Sequence, residues 1–376
     1  MLIRFVMALS AVNSIAVRAA NMVLVLYALQ LGSSPLTVGL IGATFALLPM
    51  LLSVPAGKLA DRFGSRLPLL IGSVGSGLGL LVPWFFPGLT AMFVAAALIG
   101  LSLATIAPLQ NLVGLISTPE NRARNFSNFS LMMALANFLG PLIGGFSIDY
   151  AGHATACLYL ASLSLVSVAM LVIWGRRLPA DRGNVAHAAG GIRTMLKEPG
   201  VRRVLATSSL INVGRDLYQF YFPVYAHAAG LSASIIGMLL ALNFAAEFVM
   251  RMALARLIAL YTEERLLAYA FFVGAASLAL IPFFDNVAML AVISFVFGLG
   301  MGCGQPIITM LMFSYSPKGR TGEALGLRMT IIHFTKLVGP VAFGSIGTAL
   351  GLSPMFWINA LMMVTGGMLS RPRSKD

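Results

Sequence analysis

The sequence predicts an all-α membrane protein of twelve transmembrane helices in two pseudo-symmetric six-helix bundles, on three observations. First, 59% of the 376 residues are hydrophobic and 10% charged, whereas about a quarter of the residues of an average soluble chain are charged. Second, the chain falls into apolar runs separated by polar, Gly or Pro clusters, and at about 20 residues per crossing it holds about twelve. Third, its two halves align at a fixed offset.

Cutting at the clusters gives spans 4–29, 36–56, 67–86, 90–117, 126–149, 153–174, 201–228, 232–256, 265–284, 287–314, 323–350 and 352–370. The first contains Arg18 and Asn21 and lacks a small-residue cleavage pattern, so it reads as a retained helix rather than a signal peptide. The one long polar stretch, 175–200, carries Arg176, Arg177, Arg182, Arg193 and Lys197. It reads as a cytoplasmic linker between a first bundle, 1–174, and a second, 201–376, which ends in a short basic tail. Cys157 and Cys303 fall inside apolar spans, and no disulfide or metal pair is indicated.

The net charge of +13 reads as membrane orientation, not as nucleic-acid binding. The connections after spans 2, 4, 6, 8 and 10, and the tail, are basic, whereas those after spans 1, 3, 5, 7, 9 and 11 contain no Lys or Arg. By the positive-inside rule both termini are cytoplasmic, with Asp149, His153, His227 and Asp285 at the opposite, sparsely charged end. An offset of 198 or 199 residues aligns Tyr27 with Tyr225, Gly32 with Gly230, Gly39 with Gly237, Pro108 with Pro306, Arg122 with Arg320, and Gly140-Pro141 with Gly339-Pro340. Ordered matches of Gly, Pro, Tyr and Arg mark an internal repeat.

Between spans 2 and 3 lies Gly57-Lys58-Leu59-Ala60-Asp61-Arg62-Phe63-Gly64-Ser65-Arg66, read as a charged ten-residue turn. Its glycines permit a tight connection, Asp61 can face a helix N-terminus, and its cations hold one membrane side. Gly57, Leu59, Asp61, Arg62, Gly64 and Arg66 resemble the signature loop between helices two and three of the major facilitator superfamily of transporters, with a departure at Ser65. The second half keeps charge at 255–265 but not the glycines or the Asp-Arg pair. Span 5 carries Ala136, Gly140, Pro141, Gly144 and Gly145. Small residues four apart form a face for close helix packing, and Pro141 bends the helix. The pattern is similar to the motif of the drug/proton antiporter branch; an ordinary close-packing face is the plainer reading. Gly339, Pro340 and Gly344 repeat the theme in span 11. The resemblance implies two parallel repeats, a substrate site near the bilayer midplane and alternating access.

Ionised groups within hydrocarbon cost a few kcal/mol even on the lenient insertion scale, so each needs a partner or a function. The set is Arg18, Arg215, Asp216, Glu247, Arg251, His333 and Lys336, while Arg328 lies nearer the basic end, within snorkelling reach. The offset equates Arg18 with Asp216, a pair expected to face each other across a central cavity as a gate or as a substrate or proton site. Glu247 and Arg251 share a helical face and can pair, and Glu247 is also a candidate proton carrier. His333 and Lys336, three apart, suit an anion or a proton. Tyr218 and Tyr221 lie three apart in an aromatic stretch and could stack on a substrate ring. The set is net positive, which favours a substrate bearing a carboxylate or phosphate. Proton-coupled exporters of the family usually place an Arg four residues before a Gly in span 4, where this chain has Ala96 before Gly100. Asp216, Glu247 and His333 are then the groups left to titrate.

These readings make the chain a secondary active transporter of a small organic solute, by proton-coupled export or, alternatively, by uptake or exchange of an organic anion. A non-transporting membrane sensor or scaffold is the reading from another class. No nucleophile with a base, metal cluster or phosphate loop points to an enzyme. The expected energy source is a proton or other ion gradient with no cofactor, the partners are a small-molecule substrate and the lipid bilayer, and the setting is a monomer in a bacterial-type inner membrane.

Overall fold

A computed structural model describes residues 2–118, 120–178, 198–316 and 321–371. These residues form α1 (Leu2–Gln30), α2 (Pro35–Phe63), α3 (Arg66–Phe85), α4 (Leu89–Ala104), α5 (Ile106–Leu115), α6 (Arg122–Ala151) and α7 (His153–Ile173), then α8 (Pro199–Ala228), α9 (Ala233–Leu260), α10 (Glu263–Leu280), α11 (Val287–Gly302), α12 (Gly304–Tyr315), α13 (Thr321–Leu350) and α14 (Leu352–Ser370). With α4–α5 and α11–α12 each taken as one run, 11 runs are long and apolar enough to cross a membrane. α8, at 30 residues, completes the series of twelve, but its Arg, Asp, Asn and Gln side chains lower its hydropathy.

Spans 90–117 and 287–314, expected as single helices, are each broken once, at Thr105 and at Cys303. The cause is legible. Pro108 and Pro306 have no N–H to offer the carbonyls of Ala104 and Gly302 four residues back, and their rings crowd the same turn. The equivalent positions in the repeat therefore share one backbone defect. The turns repeat as well: Gly32 and Gly230 have φ of 76° and 80°, and Gly152 and Gly351 have φ of 81° and 91°, a region open mainly to glycine.

The expected ten-residue turn at 57–66 is much shorter. α2 stays helical through Phe63, and the connection is Gly64, with φ of 81°, and Ser65 alone. Gly57 lies inside the helix, where an added Cβ would have nothing within 4 Å among the described residues, so it takes no part in the tight connection expected of it.

The chain divides into two compact units, 1–185 with 230–241, and 186–229 with 242–376. In the first, α1 packs along α6 and α7, and α3 lies against α4 and α7. Val6, Leu9, Leu69, Leu112, Phe129 and Leu171 close its core. Gly72, Gly75 and Gly79 form a stripe on α3 where α4 approaches. A Cβ on Gly79 would lie 2.9 Å from Leu98 Cβ and 3.0 Å from the carbonyl oxygen of Ala95. Asn13 of α1 donates from Nδ2 to Ser102 Oγ of α4 at 2.8 Å, a polar bond between helices that hydrocarbon cannot replace. In the second unit α8 packs against α12, α13 and α14, and α10 against α11 and α14.

Gly79→Ala forces two backbones apart and is expected to destabilise by about 1–3 kcal/mol. Gly88→Ala, at a position with nothing within 4 Å of an added Cβ, is the control, expected to melt with the wild type. Thermal unfolding of the detergent-solubilised variants reads the difference.

Candidate functional site

The ionic centre of the second unit is Glu247 on α9. Gly302 of α11 brings the two helices together there: an added Cβ would lie 2.9 Å from Glu247 Cα. Glu247 Oε2 accepts from Arg215 Nη2 of α8 at 2.7 Å and from Arg251 Nη2, one turn along α9, at 3.1 Å. Arg251 also donates from Nε to the Gly302 carbonyl at 3.4 Å, tying the cluster to the helix that made room for it. Glu247 is 2% exposed. Its Oε1 and Arg215 Nε are enclosed without a hydrogen-bond partner among the described residues. Two guanidiniums on one carboxylate leave a net positive cluster. The Glu247–Arg251 pairing predicted from the i,i+4 spacing forms; Arg215 joins from another helix, which no local spacing could signal.

Asp216, beside Arg215, is half-buried, with Oδ2 enclosed and unpartnered among the described residues. Tyr218 and Tyr221 are buried, and both are engaged with protein. Tyr218 stacks on Phe222 and packs on Phe297, with ring centroids 4.8 and 4.4 Å away, and donates to Ser294 Oγ at 2.8 Å. Tyr221 donates to the carbonyl of Pro340. The rings offered to a substrate in the sequence reading serve here to fasten α8 to α11 and α13. His333 and Lys336 lie one turn apart on α13, both partly exposed. Gly339 has nothing within 4 Å of an added Cβ among the described residues, unlike Gly140 of span 5.

Arg328 departs most from expectation. Instead of snorkelling it is 2% exposed, enclosed by α8, α12 and α13. Nε donates to Ser208 Oγ at 2.9 Å, Nη1 to Thr309 Oγ1 at 3.2 Å, and Nη2 to Gln305 Oε1.

In the first unit the span 5 motif is a packing face. A Cβ on Gly140 would lie 2.5 Å from Arg18 Cβ, and one on Gly144 would lie 3.2 Å from the carbonyl oxygen of Ala19. The half-buried Arg18 is therefore placed by this contact; Asp216 belongs to the other unit. Gly145 faces the carbonyl of Ala233, and Gly237 faces that of Pro141. One turn beyond Gly145, Asp149 closes the same contact: Oδ1 accepts the Ala233 N–H at 3.1 Å and Oδ2 the Ser234 N–H at 2.8 Å. It thus caps the N-terminus of α9 from another helix, a charge–dipole contact. Sequence reading used Asp149 only as a topology marker; the available signal was an acid one turn past a glycine face.

Of the signature-loop residues, Arg62 is exposed and the Asp61 side chain lies outside the described residues. Arg66 caps the end of α7, donating from Nε to Leu171 O at 3.3 Å and from Nη2 to Val172 O at 3.5 Å, a cation at the negative end of a helix.

Repeated transmembrane halves with enclosed ionised groups and glycine-lined helix contacts define a polytopic membrane protein. A family model described as the Major Facilitator Superfamily matches residues 6–334 and 204–376. The chain belongs to that superfamily. It is 22% identical to an uncharacterised MFS-type transporter of Methanocaldococcus jannaschii over 93% of this chain and 92% of the relative. It is 21% identical to the class B tetracycline resistance protein of Escherichia coli over 82% and 78%, and 22% identical to the quinolone resistance protein NorA of Staphylococcus aureus over 86% and 84%. Its fold is similar to a crystal structure of a mutant nucleoside transporter NupG, with a TM-score of 0.86, 11% identity, and 98% and 99% of the two chains covered. It is also similar to the peptide transporter POT in complex with sulfate, with a TM-score of 0.80, 15% identity and coverage of 98% and 93%.

Asp149→Ala strips the acceptors from two N–H groups at the α9 N-terminus and is expected to lower stability by about 1 kcal/mol. Asp149→Asn keeps an acceptor and should lose less. Chemical or thermal unfolding of the two variants in one detergent checks the order.

Proposed function

We propose that this transporter exports a small organic solute in exchange for protons, by alternating access, from a bacterial-type inner membrane with both termini in the cytoplasm. The observation that carries the proposal is Glu247, 2% exposed within a membrane-spanning helix and held by Arg215 and Arg251. Two arginines share this carboxylate, and movement of α8 would take Arg215 away and leave Arg251 as its partner. Substrate binding and proton binding then compete through one set of side chains, which is what antiport requires. The resistance proteins among its relatives support efflux, and the Gly140-Pro141 face, with its antiporter-like pattern, supports exchange. The ion gradient is the energy source, no cofactor takes part, the partners are the solute and the bilayer, and a monomer is the working unit. Bundles 1–174 and 201–376 are the proposed moving bodies, with Arg18, Asp216 and His333 as further candidates for solute or proton contact.

Uptake or exchange of an organic anion is the second reading. It is favoured by the cations of the second unit, where Arg215, Arg251, Arg328 and Lys336 stand against Asp216 and Glu247.

Tetracycline and a quinolone are the first probes, in everted vesicles energised by a pH gradient. Glu247→Gln is expected to abolish gradient-driven accumulation and to leave solute counterflow, which moves no net proton. Accumulation at the wild-type level in that variant overturns the coupling role. Lys336→Ala separates the two readings: it should abolish flux of an anionic solute and leave a neutral or cationic drug largely unaffected.

A further inference from the structure

Arg328 is a guanidinium closed inside a membrane-spanning bundle, with no carboxylate against it among the described residues. The two ion pairs among the described residues are those of Glu247. The partners of Arg328 are neutral: the Ser208 and Thr309 hydroxyls and the Gln305 amide oxygen. A second layer holds those partners. Gln305 Nε2 donates to Asn212 Oδ1 at 2.6 Å, Asn212 Nδ2 to the Ser208 carbonyl at 2.6 Å, and Thr309 Oγ1 to the Gln305 carbonyl at 2.8 Å. Gln305 is therefore oriented with its oxygen, not its nitrogen, towards the guanidinium.

Neutral acceptors satisfy N–H groups but do not cancel a charge, and a buried cation without a counter-ion remains costly. Of the five N–H donors of an arginine, three are used here. A guanidinium and a ring of hydroxyl and amide groups are elements that recognise an oxyanion, and the guanidinium can do so in bidentate fashion.

We propose that the Arg328 cluster, with Ser208, Asn212, Gln305 and Thr309, is an oxyanion subsite that takes the carboxylate or phosphate of the transported solute. The inference rests on the transporter reading and names its substrate class. The Gln305 amide oxygen holds the place in the unliganded protein, and the solute's oxyanion replaces it when α8 and α13 separate. The same chemistry is present in a phospholipid headgroup, but Arg328 is 2% exposed and is presented to the bundle interior, not to lipid.

The test is thermal stabilisation of the purified protein in detergent at constant ionic strength, with acetate, benzoate, succinate and phosphate against acetamide, benzamide and succinamide, and with phosphatidylglycerol as a separate arm. At least one free oxyanion should raise the melting temperature by a few degrees while its neutral isostere does not. Arg328→Gln should lose the shift, and Arg328→Lys should keep part of it. Gln305→Glu supplies an internal carboxylate. It should melt higher than the wild type without additive and should no longer respond, and it decides the matter should Arg328→Gln fail to fold. No shift with any oxyanion, an undiminished shift in Arg328→Gln or Gln305→Glu, or a shift with phosphatidylglycerol alone overturns the proposal. None of those results touches gradient-driven flux, so failure here is distinct from failure of the exporter reading.

Discussion

A charge inside hydrocarbon has to be answered within the protein, and the interior is arranged around those answers. Water is not there to screen it, so an enclosed ionised group recruits a partner or a ring of neutral dipoles, while charges at the bundle ends settle on helix termini. Glu247 is answered by two guanidiniums, Arg66 by the closing carbonyls of α7, Asp149 by the opening N–H groups of α9 and Arg328 by hydroxyls and amides. The strength of the answer differs, and so does what each group is free to do. A capped helix end is satisfied and structural. A carboxylate with one oxygen held by two guanidiniums and the other enclosed without a partner among the described residues is only partly satisfied.

Backbone proximity makes those answers possible. Helices share short polar contacts most readily where their backbones approach closely, and at three places here a glycine stands beside the charge. Gly302 lies under Glu247 and accepts from Arg251, Gly140 presses on Arg18, and Gly145 precedes Asp149 by one turn. A leucine at any of these sites would part the helices by several ångströms and strand the ion.

The sequence made the helical architecture readable because hydropathy and loop charge are local properties. The repeat was readable for a similar reason: Pro108 and Pro306 are single residues that break the backbone wherever they stand in a helix, and the breaks at Thr105 and Cys303 follow from them. What could not be read was partnership between helices distant in sequence. The Glu247–Arg251 pair lies within one helix and was legible; Arg215 is 32 residues away and was not. Arg328 looked free to snorkel because its distance from the helix end was visible and its neighbours on α8 and α12 were not. Tyr218 and Tyr221 looked available for the same reason, since the groups that accept from their hydroxyls sit 76 and 119 positions further on.

The two repeats have diverged in a consistent direction. In spans 1 to 6 the sequence keeps a single ionised residue well inside the hydrocarbon, Arg18, along with the signature loop and the full glycine faces of α3 and α6. In spans 7 to 12 the loop is lost, Gly339 has nothing within 4 Å of an added Cβ among the described residues, and the interior carries Arg215, Asp216, Glu247, Arg251, Arg328 and Lys336. Close glycine contacts persist in both repeats: an added Cβ would lie 2.9 Å from Leu98 Cβ at Gly79 and 2.8 Å from Ala246 Cβ at Gly298. The halves therefore differ in the charge they enclose, not in the closeness of their packing. An ionised group inside one half needs partners from that half's own helices, and the charge-rich repeat is the one in which Arg215, Arg251 and Arg328 each reach to a neighbouring helix.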